Sequence, residues 1–298
     1  MTLKQSAPIN INVAAQLTNV KNKIPLVHCI TNRVTITECA NGLLAAGAAP
    51  IMSEDAREVE EIVSISNALV LNIGTLMPLQ IESMLIAGVK AKRIGIPVIF
   101  DPVGAGATRL RDDVSKQIIE TVRPDVIRGN ISEIRALYGF AGNTKGVDAA
   151  ATDNVTLENA EETAFIVSEL AKKYECIVGA TGEIDIISDG KNTCYVGNGH
   201  PALCKITGSG CVLSSLAGAY VGAAKKTSEE RMNAVIGAFV LSGLAGEYAE
   251  AETKKEGGGM GTFHTKYMDA LSLIDADDFI QKAKIYVSET SSDKHTDL

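Results

Sequence analysis

Through the first two thirds of the chain, short runs rich in aliphatic and β-branched residues alternate with longer stretches of helical apolar spacing. This alternation constrains the fold more than any other feature. Runs at 25–30, 49–52, 68–73, 97–103 and 125–128 read as strands, and the segments 33–46, 53–64, 78–94, 112–121 and 131–138 read as helices. Strands separated by helices of about 10–15 residues need crossover connections, which give a mostly parallel sheet flanked by helices on both faces. After residue 175 the pattern changes. Runs at 176–181, 184–188, 193–196 and 204–207 follow one another with short turns, one of them Asp189-Gly190. That spacing predicts an antiparallel meander at one edge of the sheet. Helical patterns at 212–224, 228–252 and 264–273 close the chain. With no Pro- or Ser-rich linker and no internal repeat, residues 1–298 read as one α/β domain, frayed at 1–10 and 289–298.

Composition narrows the function. Apolar residues make up 46% of the chain, enough for a large core, while Trp is absent and aromatics reach only 4%, which argues against an aromatic-lined groove. The net charge is −8 and no Lys/Arg cluster occurs, so nucleic acid and anionic membrane are poor partners. Any polyanion must be held by backbone amides, a few placed cations and a metal. Six cysteines lie scattered without C-x-x-C spacing, mostly in apolar runs, as small buried hydrophobes of a reducing compartment do. Residues 1–12 lack the apolar stretch of a secretory leader, and no uninterrupted apolar run is long enough to span a bilayer. The expectation is a cytoplasmic protein.

Three motifs fall at strand ends, where open α/β sheets keep their ligands. Lys205-Ile206-Thr207-Gly208-Ser209-Gly210-Cys211 runs straight into a helix. Its glycines let the backbone turn and present successive N–H groups, and the helix N-terminus adds partial positive charge, so Gly208, Ser209, Gly210 and Cys211 form a candidate anion hole. The same residues also suit an ordinary tight turn. Asp101 leaves an apolar strand into Pro102-Val103-Gly104-Ala105-Gly106, where it is either a turn cap or a metal-binding carboxylate; Arg109 in place of a third glycine rules out a dinucleotide fingerprint. Arg128-Gly129-Asn130-Ile131-Ser132-Glu133 outlines a capping box. Alternatively, Arg128 faces phosphate and Glu133 a hydrated Mg²⁺. Thr181-Gly182, at the start of the meander, offers a hydroxyl to phosphate or simply turns the chain. Together these groups supply what phosphoryl transfer needs. No G-x-x-x-x-G-K-[ST] segment and no H-R-D or D-F-G signature is present, which excludes a P-loop enzyme and a protein kinase.

Val27-His28-Cys29-Ile30-Thr31-Asn32, Gly47-Ala48-Ala49-Pro50-Ile51-Met52, Leu71-Asn72-Ile73-Gly74-Thr75, Asp101 to Gly106, Thr207 to Cys211 and Gly261-Thr262-Phe263 occur in that order. Over residues 12–273 they closely resemble the hydroxyethylthiazole kinase family, the thiamin-salvage branch of the ribokinase-like fold. The resemblance implies phosphorylation of the side-chain hydroxyl of 4-methyl-5-(2-hydroxyethyl)thiazole by ATP with Mg²⁺, in a homotrimer with active sites at subunit interfaces. It implies that Asn32, Met52 and Gly208 shape the thiazole pocket, that Arg128 and Thr181 contact the ATP phosphates, and that Asp101 and Glu133 organise Mg²⁺. Cys211 stands where ribokinase-like sugar kinases carry an Asp base. A thiol at a helix N-terminus is expected to have a lowered pKa, yet loose phosphoryl transfer needs little base help, so Cys211 is expected near the acceptor hydroxyl as a weak base at best. Met52 also suits the core, His28 reads as a satisfied core histidine, and His200 and His264 read as loop or cap residues without a role. The polar stretch 142–156 is a candidate cover over the nucleotide. Competing readings are a hydroxymethylpyrimidine kinase or an ATP-dependent hydrate dehydratase, both disfavoured by Cys211, a nucleotide-binding sensor, and a dinucleotide oxidoreductase.

Overall fold

The computed structural model describes residues 3–5, 7–140 and 160–288. The chain opens with β1 (Leu3–Gln5) and α1 (Ala7–Lys23), then alternates through β2 (Leu26–Ile30), α2 (Ile36–Ala45), β3 (Ala49–Ile51), α3 (Val59–Ile65), β4 (Ala68–Asn72) and α4 (Pro78–Ile94). It continues through β5 (Val98–Asp101), α5 (Arg109–Val122), β6 (Val126–Asn130), α6 (Ile131–Phe140), α7 (Ala160–Tyr174) and β7 (Ile177–Thr181). Strands β8 (Asp185–Ser188) and β9 (Thr193–Val196), a 3₁₀ helix at Pro201–Lys205, α8 (Ser209–Ala223), α9 (Ser228–Glu256), α10 (Met260–Leu273), α11 (Ala276–Lys282) and β10 (Ile285–Ser288) follow.

The ten strands among the described residues join one sheet in the order β1-β10-β9-β8-β7-β6-β5-β4-β2-β3. The six strands from β3 to β7 are parallel. The four beyond β7 are antiparallel: β8 and β9 form the expected meander with β7, and the unforeseen β10 and β1, from the two ends of the chain, extend it. Parallel strands covered on both faces must be apolar throughout, and β4 is buried at every residue. Helix α4 matches its predicted bounds because both ends are signalled locally. Pro78 opens it, and Gly95, at φ +76°, takes the left-handed conformation that closes it.

Two cores lie on the two faces. One packs α1, α2, α8, α9 and α10 around Phe239, Tyr220 and Phe263; the other packs α3 to α7 around Phe100, Leu71 and Ile118. Among the described residues α9 is the one helix apolar and long enough to cross a membrane, but 83% of its apolar window is buried in this core.

Several expectations need correction. Residues 204–207 form no strand: Pro201 opens the 3₁₀ helix instead, and the His200 ring caps it by accepting from Ala202 N (3.2 Å). Helix α2 starts three residues later than its apolar spacing suggests, because the Asn32 side chain takes the Val34 and Thr35 N–H groups (both 3.1 Å) into a turn. Helix α3 starts at Val59, leaving 52–58 irregular. Residues near the N-terminus are paired rather than frayed, with Leu3 opposite Ser288 in the β1–β10 ladder. Helix α1 is not signalled by the sequence, because polar residues interrupt its apolar pattern. Asn10 and Gln16 are nevertheless buried, held by Ala283 O (3.1 Å) and Glu230 Oε2 (2.7 Å). His264 lies within α10, where Nε2 meets Glu38 Oε2 at 2.8 Å. The proposed cover at 142–156 and the end at 289–298 lie outside the described residues.

Candidate active site

From β2 the chain crosses to β3 on one side, then returns to β4 on the other. This reversal opens a crevice at the carboxyl ends of β2 and β4, the usual ligand position in such sheets. Asn32 lies just past β2, Asn72 ends β4 and Asp101 ends β5 as the ladder partner of Asn72. Helix α8 packs on β2, β4 and β5 and brings its N-terminus to the same place. Gly208 precedes it at φ +89°, a conformation costly for other residues, and as a glycine it has no side chain to cap the helix. Backbone N–H groups of the first turn are therefore presented for an anion.

On one side of this junction the groups are neutral. Asn32 Nδ2 donates to Asn72 Oδ1 (3.0 Å) and to Cys211 Sγ (3.2 Å). Asn72 Nδ2 donates to Cys211 Sγ (3.3 Å) and to Asp101 Oδ2 (2.9 Å), while its Oδ1 also accepts from Gly74 N (2.9 Å). Every hydrogen-bonding position of the Asn72 amide is thus occupied.

The other side is charged. Asp101 is fully buried, and its Oδ2 accepts from Ser214 Oγ (2.7 Å) and lies 3.8 Å from Arg128 Nη1. Among the described residues its Oδ1 is buried without a partner, as is Arg128 Nε. Burial pushes the Asp101 carboxyl up to about 7, against the pull of Arg128 and with a further push from Glu133. Arg128 Nη2 donates to Thr181 Oγ1 (2.9 Å), on the strand next to its own. Glu133 closes the capping box: Oε2 accepts from Asn130 N and Oε1 from Gly104 N, both at 2.8 Å, and Glu133 N donates to Asn130 Oδ1 (2.9 Å). Each carboxylate oxygen keeps a lone pair beyond those bonds.

The predicted residues Asn32, Asp101, Arg128, Thr181 and Cys211 converge at this junction with Gly208 and Gly210. A Cβ on Gly210 would lie 2.8 Å from Arg128 Nη1, so the guanidinium rests directly on the helix start. Ser209 turns its hydroxyl away, to Leu203 O (2.9 Å), leaving only its backbone for the anion hole. Met52, just past β3, is half-buried against the core on the α8 face. One expectation reverses sign. Burial, reinforced by the charge of Asp101, raises the Cys211 thiol pKa rather than lowering it, despite donors from Thr35, Asn32 and Asn72. Asn72, Ser214 and Arg111 were missed. Arg111 ties the loop after β4, through Ile73 O (2.6 Å) and Gly74 O (2.9 Å), to the loop after β5, through Val103 O. A polar residue ending an otherwise apolar strand could have flagged Asn72, as it did Asp101.

Among the described residues no group of three or more His, Cys, Asp or Glu is placed to hold a metal. A cation held by two carboxylates would therefore share its remaining positions with water and substrate phosphate, as Mg²⁺ does. The unpartnered Asp101 Oδ1 fits that arrangement.

The model of the Hydroxyethylthiazole kinase family matches residues 17–277. The chain is 46% identical over 273 residues to a hydroxyethylthiazole kinase of Clostridium botulinum, covering 92% of this chain and 95% of that one. A hydroxyethylthiazole kinase structure from Pyrococcus horikoshii superposes with a TM-score of 0.80 at 36% identity, covering 93% of this chain and 99% of that one. A ribokinase-like superfamily protein from Enterococcus faecalis shares the fold at 14% identity, with a TM-score of 0.56 over 91% of this chain and 83% of that one.

Proposed function

We propose a mechanism from the premise that this chain belongs to the hydroxyethylthiazole kinase family. It transfers the terminal phosphoryl group of ATP to the hydroxyl of 4-methyl-5-(2-hydroxyethyl)thiazole, in thiamin salvage. The observation that carries the mechanism is the meeting of a neutral Asn32–Asn72–Cys211 cluster with the charged Asp101–Arg128–Thr181 set at the uncapped start of α8.

The thiazole alcohol enters on the neutral side, beside Asn32, Met52 and Gly208, with its hydroxyl near Cys211. ATP phosphates lie on the charged side, against Arg128 and Thr181. The N–H groups of Ser209, Gly210 and Cys211 receive the transferring phosphoryl oxygens, preorganised by the helix. Arg128 spreads compensating charge across the same oxygens. Asp101 and Glu133 would hold Mg²⁺, which when bound neutralises phosphate charge and orients the chain of phosphates. Cys211, protonated at neutral pH, contacts the acceptor hydroxyl without removing its proton early. Loose phosphoryl transfer tolerates that, since the hydroxyl proton can leave late.

The working assembly is a homotrimer sharing sites between subunits. Exposed Val34, Met77, Leu79 and Leu110 support this, since all lie at the crevice end of β2, β4 and β5, where a second copy would cover them. We read residues 1–298 as one kinase domain. We also place it in the cytoplasm, in keeping with six free cysteines.

The direct test is ADP release by purified protein with ATP and Mg²⁺, offering the thiazole alcohol, pyridoxine or hydroxymethylpyrimidine. Thiazole-dependent release that disappears in Asp101→Ala and Arg128→Ala is the expected result. Release with a rival acceptor alone would discard the substrate and keep the fold, and ATP binding without turnover would favour a sensor.

A further inference from the structure

His28 stands on the buried side of β2, opposite Ile51 of β3 and Leu69 of β4, with no solvent exposure. Its Nε2 lies 2.8 Å from Ser53 O, while Nδ1 is buried with no partner among the described residues. A carbonyl can only accept, so Nε2 carries the hydrogen and Nδ1 is left as an orphaned acceptor. Burying a polar atom unpaired is costly, and an aliphatic residue would fill this strand position without that cost. The imidazole therefore contributes something that stability alone does not require, and its one bond shows what that is. It reaches the irregular segment 52–58, immediately after Met52.

The same segment is held at further points. Ser83 Oγ of α4 donates to Glu54 O (2.8 Å). Gln80 Nε2, one turn earlier, donates both to Glu54 Oε2 (3.2 Å) and to Thr31 O (2.8 Å). Arg33 Nη2 meets Glu54 Oε1 at 3.4 Å. Glu54, two residues after Met52, and Thr31, just before Asn32, are thus bridged by Gln80, which fixes the loop from β3 against the turn after β2 while His28 holds Ser53 in that loop. We propose that His28 is a positioning residue for the thiazole pocket, acting through Ser53 to set Met52 against Asn32, with Gln80 and Ser83 completing the clamp. The inference rests on the reading that Met52 lines that pocket.

The test separates loss of position from loss of fold. His28→Leu keeps the volume and removes the orphaned nitrogen. It is expected to leave the melting temperature unchanged or raised, to leave the KM for ATP unchanged, and to increase the KM for the thiazole alcohol about ten-fold. His28→Gln, which restores an N–H donor, should recover part of that increase. Met52→Ala should raise the same KM, and the double variant His28→Leu/Met52→Ala should go little beyond Met52→Ala, because both act through one side chain. A thiazole KM within two-fold of wild type in His28→Leu, alongside a raised KM in Met52→Ala, would overturn the inference. So would a fall in melting temperature with both KM values unchanged, the signature of a merely structural histidine. An unchanged KM in Met52→Ala would remove the pocket reading and the inference with it. Nitrogen-15 spectra of the wild-type ring give a check independent of any variant. The Nε2–H tautomer is expected, and the Nδ1–H tautomer would refute the clamp.

Discussion

The two sides of the crevice are built on different principles. On the acceptor side Asn32, Asn72 and Cys211 satisfy one another, and the Asn72 amide has no position left for a ligand. On the phosphate side charges are buried with atoms to spare: Asp101 Oδ1 and Arg128 Nε have no partner among the described residues. A finished hydrogen-bond network is rigid and shapes a neutral pocket, whereas an unfinished set of charges is costly until a ligand completes it. The difference teaches which half of the site supplies shape and which supplies electrostatic stabilisation.

If that division holds, the largest losses come from the charged side. Arg128→Ala should lower kcat/KM about 10³-fold, because a cation serving the transferring phosphoryl group stabilises the transition state more than the ground state. Steady-state kinetics check this; a loss under ten-fold would end the division. Gly210→Ala should follow, at about 10²-fold and with a raised KM for ATP, since the added methyl meets Arg128 Nη1 and the buried guanidinium must move. Thermal melting should stay near wild type, because the conflict is with a side-chain end.

A smaller effect sharpens the comparison through pH. Folding raises Asp101 to about 7 from an unfolded value near 4, so between these values the folded chain binds more protons than the unfolded one. The contribution of this group is fully present below about pH 4 and is lost as pH rises through about 7. The melting temperature of Asp101→Asn, taken relative to wild type without ligand or metal, should accordingly rise between pH 5 and pH 8. A flat difference would mean that Asp101 titrates at an ordinary carboxyl value.

The smallest effect belongs to Cys211. With burial raising its pKa, Cys211→Ala should cost less than ten-fold in kcat, and alkylation of the wild-type thiol by iodoacetamide should be slow at pH 7. A loss matching that of Arg128→Ala would make the thiol a full catalytic base and erase the contrast between the two sides.

Much of the site was legible because its signals are local. Asp101 and Arg128 break apolar strands, and Gly208 and Gly210 flank a helix start; such interruptions need no knowledge of distant neighbours. Glu133 was legible only as an alternative, and the structure shows its capping bonds formed beside lone pairs that remain available. Asn72 was harder to read, since a strand-end amide is also common in plain turns. Its importance comes from Asn32, Asp101 and Cys211, which approach it from other strands and from α8. His28 looked like an ordinary core histidine, and only the position of Ser53 O reveals a polar contact satisfied on one nitrogen alone.

By itself the sequence determined the alternation of strand and helix, the change to a meander after β7 and the positions where polar groups leave the sheet. Each of these follows from periodicity or turn chemistry within a few residues. Tertiary structure alone decided that α1, with its buried Asn10 and Gln16, is a helix, and that the Cys211 thiol pKa is raised. Those outcomes depend on partners far away along the chain and on the depth of burial, and the crossovers of the sheet set both.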